Sequence, residues 1–264
     1  MRCRGPTILG MRVDPTSYQD AAEQVLQWAR MGESRYVCVA NVHMVMEAYD
    51  NALFRQIVNE ADLVVPDGMP LVWLLRRMGY PDQQRVYGPE LMLHVCTAAE
   101  QERIAVGFYG SYPHTLERLT AVLGARFPGL DVRYACSPPF RPLTLEEDQT
   151  IVQDIRRSGV RILFVALGCP KQERWMAEHR GRIPAVALGV GAAFDFLSGR
   201  VPQAPAWMQR AGLEWFFRLL TEPRRLWRRY VKHNPRFVVL ALRDLIRLQS
   251  GRMPITDPGY RRTL

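Results

Sequence analysis

The stretch Ala61-Asp-Leu-Val-Val-Pro-Asp-Gly-Met69 decides the fold class, because three apolar residues lead directly into a Pro-Asp-Gly turn. A helical pattern follows the turn, so the stretch predicts a buried strand with a carboxylate at its C-terminal end. In open α/β sheets, ligands bind in the crevice beyond the carboxyl ends of the strands. Asp67 is therefore a candidate catalytic residue, and the simpler alternative is that it caps the helix beginning near Met69.

Strand-like and helix-like segments alternate on both sides of this stretch, as an α/β fold requires. Several predicted strands are apolar on both faces, which is typical of a parallel sheet covered by helices. The prediction is an α/β fold with a Rossmann-like parallel sheet, helices on both faces and a C-terminal helical appendage. Strands are predicted at 8–13, 36–40, 63–65, 104–109, 130–135, 162–166 and 185–190, and helices at 18–29, 44–59, 115–127 and 145–158.

The pattern changes after Gly199, where prolines separate short helical segments rich in Trp, Phe, Leu and Arg. We divide the chain into an α/β catalytic domain, residues 1–199, and a basic helical appendage, residues 200–264. The helical segments of the appendage are predicted at 213–221, 224–232 and 236–249, with Pro202, Pro205, Pro223 and Pro235 between or beside them.

The net charge of +9 is concentrated in the appendage, which holds 14 basic and 4 acidic residues against 21 and 22 in residues 1–199. Such a block can bind nucleic acid, anionic lipid or a phosphorylated ligand. The Trp, Leu and Phe residues between the charges favour an anionic membrane surface over nucleic acid. Packing of the last helix on the parent domain, or on a second copy in a homo-oligomer, is the alternative.

The composition excludes several classes of protein. A chain of 264 residues with 48% hydrophobic content can bury a full core. Its five cysteines are odd in number and never spaced Cys-x-x-Cys, which argues against a disulfide framework and predicts a reducing compartment. No apolar segment approaches about 20 residues, and the N-terminus lacks the apolar core of a signal peptide. We expect a cytoplasmic protein, peripheral on the inner face of the plasma membrane.

A second strand end, in Ala166-Leu-Gly-Cys-Pro-Lys-Gln-Glu-Arg-Trp175, predicts an anion site. Gly168 ends the strand and Pro170 opens a helix, whose N-terminal N–H groups and dipole favour negative charge. Lys171 is available for a phosphate, and Gln172 for a hydroxyl or phosphate oxygen. An ordinary turn between strand and helix contains the same Gly and Pro.

Three further places are candidates of the same kind. Gly189-Val-Gly191 lacks the third glycine of a dinucleotide fingerprint, so it favours a glycine-lined floor for a nucleotide, with Asp195 accepting a hydrogen bond from ribose or base. Helix capping is the other role open to Asp195. Gly110 and Ser111 could contact a phosphate or sugar, or only cap a helix. Arg85 could bind a phosphate through two hydrogen bonds, or be a surface arginine.

Absent motifs narrow the chemistry further. The chain has no Gly-x-x-x-x-Gly-Lys-Ser/Thr, no Gly-x-Ser-x-Gly, no His-Glu-x-x-His and no Asp-x-Asp that could hold a metal under a diphosphate. Its five histidines show no metal-ligand spacing. We therefore predict no metal site and no cofactor. If a diphosphate leaves during the reaction, arginines and helix N-termini must stabilise it.

Taken in order, these motifs resemble the WecG/TagA/CpsF glycosyltransferase family over about residues 8–230. The resemblance implies an inverting, metal-independent transfer of a sugar from a UDP-sugar to a polyprenyl-diphosphate-linked saccharide, in bacterial cell-surface polysaccharide synthesis such as that of exopolysaccharide. The motifs are Ala61-Asp-Leu-Val-Val-Pro-Asp-Gly-Met, Arg85-Val-Tyr-Gly-Pro-Glu, Gly110-Ser111, Leu167-Gly-Cys-Pro-Lys-Gln-Glu, Gly189-Val-Gly-Ala-Ala-Phe-Asp-Phe, Ala204-Pro-Ala-Trp207 and Gly212-Leu-Glu-Trp215 with Glu222-Pro-Arg-Arg225.

The resemblance also assigns roles to residues of this chain. Asp67 would be the general base that deprotonates the acceptor hydroxyl, and Arg85 would lie near the sugar or diphosphate. Gln172, Gly191 and Asp195 would belong to the nucleotide-sugar site. The appendage would support membrane association and complete the active site with Arg218, Arg224, Arg225 and Arg228.

One departure from the family pattern concerns the donor sugar. Ala40 stands where family members often have a threonine close to the substrate, which leaves Asn41 as the candidate contact there. N-acetylmannosamine, glucose and glucuronic acid are therefore all open as donor sugars.

Two other function classes compete with a glycosyltransferase. A Rossmann-like NAD-dependent oxidoreductase would need the glycine fingerprint on the first strand and an acidic residue about 20 positions later, and neither is present. A non-catalytic membrane-binding module would account for the basic appendage, but it would have no use for a carboxylate at a strand end.

Overall fold

The computed structural model describes residues 5–249 of the chain. Eight strands occur in this part, and the first two form a short antiparallel hairpin while the other six form one parallel sheet. The hairpin is β1 (Thr7–Ile8) and β2 (Met11–Arg12). The sheet contains β3 (Arg35–Ala40), β4 (Leu63–Pro66), β5 (Val106–Gly110), β6 (Val132–Cys136), β7 (Ile162–Ala166) and β8 (Val186–Gly189), in the order β4-β3-β8-β7-β5-β6.

Helices connect the strands and cover both faces of the sheet. The helices before the appendage are α1 (Tyr18–Arg30), α2 (Val42–Asp50), α3 (Ala52–Glu60), α4 (Met69–Arg77), α5 (Gly88–Glu102), α6 (Pro113–Arg126), α7 (Leu145–Ser158), α8 (Lys171–His179) and α9 (Ala193–Leu197). The appendage follows with α10 (Ala206–Arg210), α11 (Glu214–Thr221) and α12 (Pro223–Gln249). The predicted domain boundary at 199/200 falls in the turns between α9 and α10, and residues 250–264 of the predicted appendage lie outside the described residues.

Two hydrophobic cores lie on the two faces of the sheet. Tyr36 and Cys38 of β3 point into one core, and Val37 and Val39 point into the other. This alternation follows from the two-residue period of a strand. The predicted fold class, a Rossmann-like parallel sheet with helices on both faces and a C-terminal helical appendage, is confirmed.

The parallel register brings the predicted loops to one edge of the sheet. Ala40 pairs with Pro66, Gly110 pairs with Ala166, and Val165 pairs with Gly189, so the strands end at nearly the same level. Because all six strands run in one direction, the turns after β3, β4, β5, β7 and β8 share this edge. Every candidate in residues 1–199 except Arg85 lies in or next to one of these five turns.

Two predicted elements are divided in the structure. The predicted strand 8–13 is a hairpin, because Leu9 and Gly10 adopt positive φ angles of 51° and 83° and reverse the chain. The predicted helix 44–59 is two helices, since Asn51 breaks the first and caps the second by accepting a hydrogen bond from the Phe54 N–H at 2.9 Å. Local hydrogen bonding by Asn competes with helix continuation at this position.

The predicted separation of helices 224–232 and 236–249 is wrong, because α12 runs through Pro235 as one helix of 27 residues. An internal proline costs a helix about 3 kcal/mol. Leu226, His233, Phe237 and Ala241 are buried on the inner side of α12, and α12 packs on α2. Burial of Leu226 and Phe237 contributes roughly 1.5–3 kcal/mol each, which together offsets the cost of the proline.

None of the helices in residues 5–249 combines the length and hydropathy needed to cross a bilayer.

Candidate active site

The Pro-Asp-Gly turn after β4 is attached to the end of the neighbouring strand. The backbone N–H groups of Asp67 and Gly68 both donate to the Ala40 carbonyl, at 2.8 and 3.2 Å. Helix α4 then begins at Met69 with Gly68 as its N-cap and without a side-chain cap. The Asp67 carboxylate is therefore not used for helix capping and is available for another role.

Arg85 lies between two carboxylates. Its Nη2 is 3.0 Å from Asp67 Oδ1 and 2.6 Å from Glu214 Oε2, and its Nε donates to the Asp67 carbonyl oxygen. The guanidinium also lies over the Tyr87 ring, 4.0 Å from the ring centroid. The three charged side chains are only 14–16% exposed, so Arg85 joins the sheet edge to the appendage through two shielded ion pairs.

The surroundings of Asp67 suit a general base. Burial raises the pKa of Asp67 to about 6, Arg85 opposes this shift, and Glu214 adds to it by charge repulsion. For Arg85, burial disfavours the charge, but Asp67 and Glu214 outweigh burial and hold the guanidinium pKa above its usual value. A carboxylate that is ionised at neutral pH, with a pKa near the working pH, is suited to accept a proton from a hydroxyl.

A cavity of about 880 Å³ opens beside these groups. Its polar lining includes Asn41, Asp67 and Arg85 from the sheet domain, together with Glu214 and Arg218 from α11. Much of the remaining lining is apolar and comes from α4, α11 and α12. The apolar side chains there include Trp73, Leu74, Leu213, Trp215, Phe237, Val238, Leu242 and Ile246.

Aromatic rings connect the turn after β8 to this cavity. The Arg218 guanidinium lies 5.3 Å from the Phe196 ring centroid, and the Phe196 ring lies 6.3 Å from that of Tyr87. Asp195, one residue earlier, forms an ion pair with Arg200 at 2.9 Å. Because α9 begins at Ala193 with Ala192 as its N-cap, Asp195 is not the helix cap that its sequence position allowed.

Gln172 is engaged inside the protein in this conformation. Its Nε2 donates to the Gly189 carbonyl at 3.1 Å and to Glu173 Oε1 at 2.7 Å, and its Oε1 accepts from the Gly168 N–H at 3.2 Å. The side chain thus ties the turn after β7 to the end of β8. Its predicted contact with a nucleotide stays a prediction, and so does that of Lys171, which is exposed at the start of α8.

The turn after β5 requires glycine. Gly110 has a φ of 114°, and a Cβ there would lie 2.5 Å from the Ala166 carbonyl oxygen. The Ser111 N–H donates to the same carbonyl at 3.0 Å, and the Ser111 carbonyl accepts from the Ser137 hydroxyl at 2.7 Å. Since Tyr112 is the N-cap of α6, neither residue is a helix cap, and a ligand contact for both stays a prediction.

Glu173 is a fully buried carboxyl next to Gln172. Burial raises the pKa of Glu173 to about 7, and the hydrogen bond from Gln172 opposes the shift. In the unfolded chain the carboxyl titrates near 4.5. Between these pH values the folded protein binds more protons than the unfolded chain, so the free energy of unfolding falls as pH rises and levels off above about 7.

Glu173→Gln should therefore be stabilising at alkaline pH. We expect the free energy of unfolding at pH 8 to rise by about 1–3 kcal/mol, with little change at pH 5, because the amide needs no proton to be neutral. Urea denaturation at both pH values measures the effect. Glu178→Gln, exposed on the same helix, is the control, and an equal response of the two variants would contradict the prediction.

The structure divides the predicted site residues into three groups. Asn41, Asp67, Arg85 and Arg218 line one cavity. The candidates after β5, β7 and β8 follow the same sheet edge beyond it, namely Gly110, Ser111, Gly168, Lys171, Gln172, Gly191 and Asp195. Arg224, Arg225 and Arg228 are exposed near the start of α12, do not line this cavity and keep their active-site role only as a prediction.

Sequence reasoning missed Glu214, His43 and His233 as lining residues of the cavity. A signal for Glu214 was present, because it is one of four acidic residues in a strongly basic segment. The two histidines lie 190 positions apart and only the packing of α12 on α2 brings them together. Burial, assisted by the charge of Arg229, lowers the pKa of His43 to about 3.

Two relatives with named activities indicate the class of protein to which this chain belongs. The chain is 32% identical over 209 residues to the N-acetylglucosaminyldiphosphoundecaprenol N-acetyl-beta-D-mannosaminyltransferase of Bacillus spizizenii, covering 79% of each protein. It is 26% identical, with the same coverage of 79% of each, to the protein of that name from Bacillus subtilis. The α/β sheet with a buried carboxylate over a cavity is thus that of a glycosyltransferase.

Its family is equally clear. Residues 6–251 match the family described as Glycosyl transferase WecG/TagA/CpsF family. The chain belongs to this family.

Proposed function

We propose that the protein is an inverting, metal-independent glycosyltransferase that moves a sugar from a UDP-sugar to a polyprenyl-diphosphate-linked saccharide in bacterial cell-surface polysaccharide synthesis. The observation that carries the proposal is the position of Asp67, whose carboxylate lies on a cavity lined by both charged and apolar side chains. By their names, the two Bacillus relatives use a diphosphoundecaprenol-linked N-acetylglucosamine. Such an acceptor combines a polar saccharide and diphosphate with an apolar isoprenoid chain.

In the proposed transfer of the sugar, Asp67 acts as the general base. Asp67 accepts the proton of the acceptor hydroxyl while that oxygen forms a bond to the anomeric carbon of the donor sugar. The bond from the anomeric carbon to the diphosphate oxygen breaks, and UDP leaves with the electron pair. Attack from the side opposite the leaving group inverts the anomeric centre. Arg218, which lines the cavity, is the proposed group that stabilises negative charge on a diphosphate, since Arg85 already holds two carboxylates.

The apolar lining of the cavity is suited to bind the first isoprene units of the acceptor. Leu213 of the α10–α11 turn and Val238, Leu242 and Ile246 of α12 line it together with Trp73 of α4. A chain entering from the membrane would therefore pass between α4 and α12, with its saccharide end toward Asp67. On this basis the substrate contacts both the sheet domain and the appendage.

An exposed apolar stripe on α12 supports peripheral membrane binding. We define it as Trp227, Val231, Val238, Leu242 and Ile246, which recur at helical spacing and are 49–66% exposed. Exposed cations lie beside the stripe at Arg228, Lys232, Arg236 and Arg243. A helix with one apolar side and flanking arginines lies in the interface of an anionic bilayer, here the cytoplasmic face of the plasma membrane.

Trp227→Ser with Val231→Ser should weaken binding to anionic vesicles by roughly tenfold to a hundredfold, because two large apolar groups no longer enter the interface. Neither residue lines the cavity. Sedimentation with vesicles measures the effect. Salt should weaken vesicle binding by the variant and by the unchanged protein, since screening acts over about 8 Å at physiological ionic strength.

Leu53→Ser with Leu145→Ser is the matched control, because both leucines are exposed but lie on the sheet domain. This control should sediment like the unchanged protein. Equal sedimentation of the stripe variant would show that the stripe does not contact the membrane.

The decisive test of function is a transfer assay with the full chain. Radiolabelled UDP-N-acetylmannosamine, UDP-glucose and UDP-glucuronic acid are each mixed with a short-chain prenyl-diphosphate N-acetylglucosamine in chelator-treated buffer. We expect one donor to give a labelled lipid product with the inverted anomeric configuration. Absence of product with every donor and with other prenyl-diphosphate acceptors would overturn the proposal and favour a non-catalytic membrane-binding module.

A further inference from the structure

A second cluster of polar side chains lies where α12 crosses α2. His43 and Glu47 are one turn apart on α2, and His233 of α12 lies opposite them. One ligand atom from each residue lies within 4.8 Å of the other two. Neither the sequence patterns nor the transfer mechanism accounts for this cluster.

The spacing of the three residues is close to that of a metal site. His43 Nδ1 is 3.9 Å and His233 Nε2 is 3.6 Å from Glu47 Oε1. Two ligands about 2.1 Å from a tetrahedral ion lie roughly 3.4 Å apart. The two distances to Glu47 exceed this value by only a few tenths of an ångström, so small changes in side-chain torsion angles would bring each nitrogen to ligand spacing from the carboxylate.

The two imidazoles lack the partners that buried polar groups normally have. His43 Nδ1, which lies near Glu47, is buried without a hydrogen bond to any residue in the described part of the chain. His233 Nδ1 is likewise buried and unpaired there, while Nε2 of the same ring lies near Glu47. The His233 side chain is only 4% exposed.

We propose that His43, Glu47 and His233 bind one divalent ion of the zinc class and that this ion holds α12 on α2. Two imidazoles and a carboxylate are a common set of three protein ligands for zinc, whereas Mg²⁺ prefers oxygen ligands alone. The role is structural, because the ion links two helices and takes no part in the chemistry of the proposed transfer step.

The local charge permits such an ion. Arg229 and Lys232 of α12 act on both rings and oppose a cation, while Glu47 and Asp50 of α2 favour one. Asp50 is further engaged by Arg236 at 2.7 Å. The two positive charges of Arg229 and Lys232 are balanced by the two negative charges of Glu47 and Asp50. The strength of the bonds to the three ligands therefore decides whether a cation binds.

The test uses the full chain after removal of metal with a chelator. We expect calorimetry to show one Zn²⁺ bound per chain and no Mg²⁺ binding at the same concentration. Zinc at about 100 times its dissociation constant should raise Tm by roughly 5–10 °C. Co²⁺ should give visible absorption bands of a four- or five-coordinate ion, without the near-ultraviolet band of a thiolate ligand.

Single substitutions test which side chains bind the ion. His233→Gln, His43→Gln and Glu47→Gln should each weaken Zn²⁺ binding by at least the 10–100-fold that loss of an outer partner typically costs. His114→Gln, on an exposed histidine of α6, should bind like the unchanged protein. Circular dichroism confirms that each variant is folded, and the three positions give independent chances of a folded variant.

Three results would overturn the proposal. They are the absence of Zn²⁺ binding to the unchanged chain, unaltered binding in the folded cluster variants, and a Co²⁺ spectrum dominated by thiolate absorption. A Tm that zinc raises equally in the unchanged protein and in the folded cluster variants would likewise contradict the assignment, because it would place the bound zinc elsewhere.

Discussion

Asp67→Asn is expected to lower turnover by about 10²–10⁴-fold while leaving the fold intact. The amide keeps the shape of the side chain and can still accept a hydrogen bond from Arg85, which lies 3.0 Å from Oδ1 in the unchanged protein. It cannot take a proton from the acceptor hydroxyl. The loss should therefore appear in the rate of transfer rather than in the thermal midpoint.

The pH profile tests the same assignment. Since the pKa of Asp67 is raised to about 6, chiefly by burial, the fraction of ionised base falls as pH drops through 6. We expect kcat/KM of the unchanged protein to fall about tenfold for each pH unit below that value. Asp67→Asn should lose this acid limb, because the group that titrates is no longer present.

Asp131→Asn is the matched control for the base. Asp131 pairs with Arg133 on the protein surface at 2.7 Å, far along the sheet from β4. Its substitution should leave turnover and the pH profile unchanged. Near-normal transfer by Asp67→Asn, with a donor and acceptor that the unchanged protein uses, would disprove the role of Asp67.

Arg85→Met should be the most destabilising single substitution at this site. It leaves Asp67 and Glu214 shielded and facing each other without their shared cation. Removal of one partner from a buried ion pair typically costs about 3–5 kcal/mol. Urea denaturation at pH 7 measures the loss, and lowering the pH should recover part of it, because protonated carboxyls no longer repel.

The same substitution should move the acid limb of the rate profile. Arg85 lowers the pKa of Asp67, whereas burial and Glu214 raise it. Without the guanidinium, the pKa of Asp67 rises further, so the remaining activity should shift to higher pH. The double variant Arg85→Met with Glu214→Gln keeps only one of the two carboxylates. We expect it to regain part of the lost free energy of unfolding and to shift the acid limb of the rate profile back to lower pH.

Arg141→Met separates this effect from the loss of any ion pair. Arg141 and Glu147 are 2.6 Å apart but solvent-exposed. Ion pairs between solvent-exposed side chains contribute little to the free energy of unfolding. Equal losses for Arg85→Met and Arg141→Met would contradict the argument that the shielding of the three charged groups makes Arg85 important.

The sequence alone predicted the parallel sheet and the edge where the candidate site lies. Both features depend on residues that are close in the chain. Apolar runs such as Leu63–Pro66 form strands, and the turn residues after them stop the strands at a common level. Because parallel strands end at one edge, Asn41 and Asp67 could be expected at the same edge of the sheet, and the pairing of β3 with β4 makes them neighbours.

Other features depend on packing between distant segments and were decided only by the tertiary structure. Pro235 predicted a break, yet α12 is continuous because burial of Leu226 and Phe237 on its inner side offsets the local cost of proline. The contact between Arg85 and Glu214 spans 129 positions. The approach of His43 to His233, whose ring centroids are 5.2 Å apart, likewise follows from where α12 lies. No local pattern encodes such pairs, since the free energy that selects them comes from the area that two whole elements bury together.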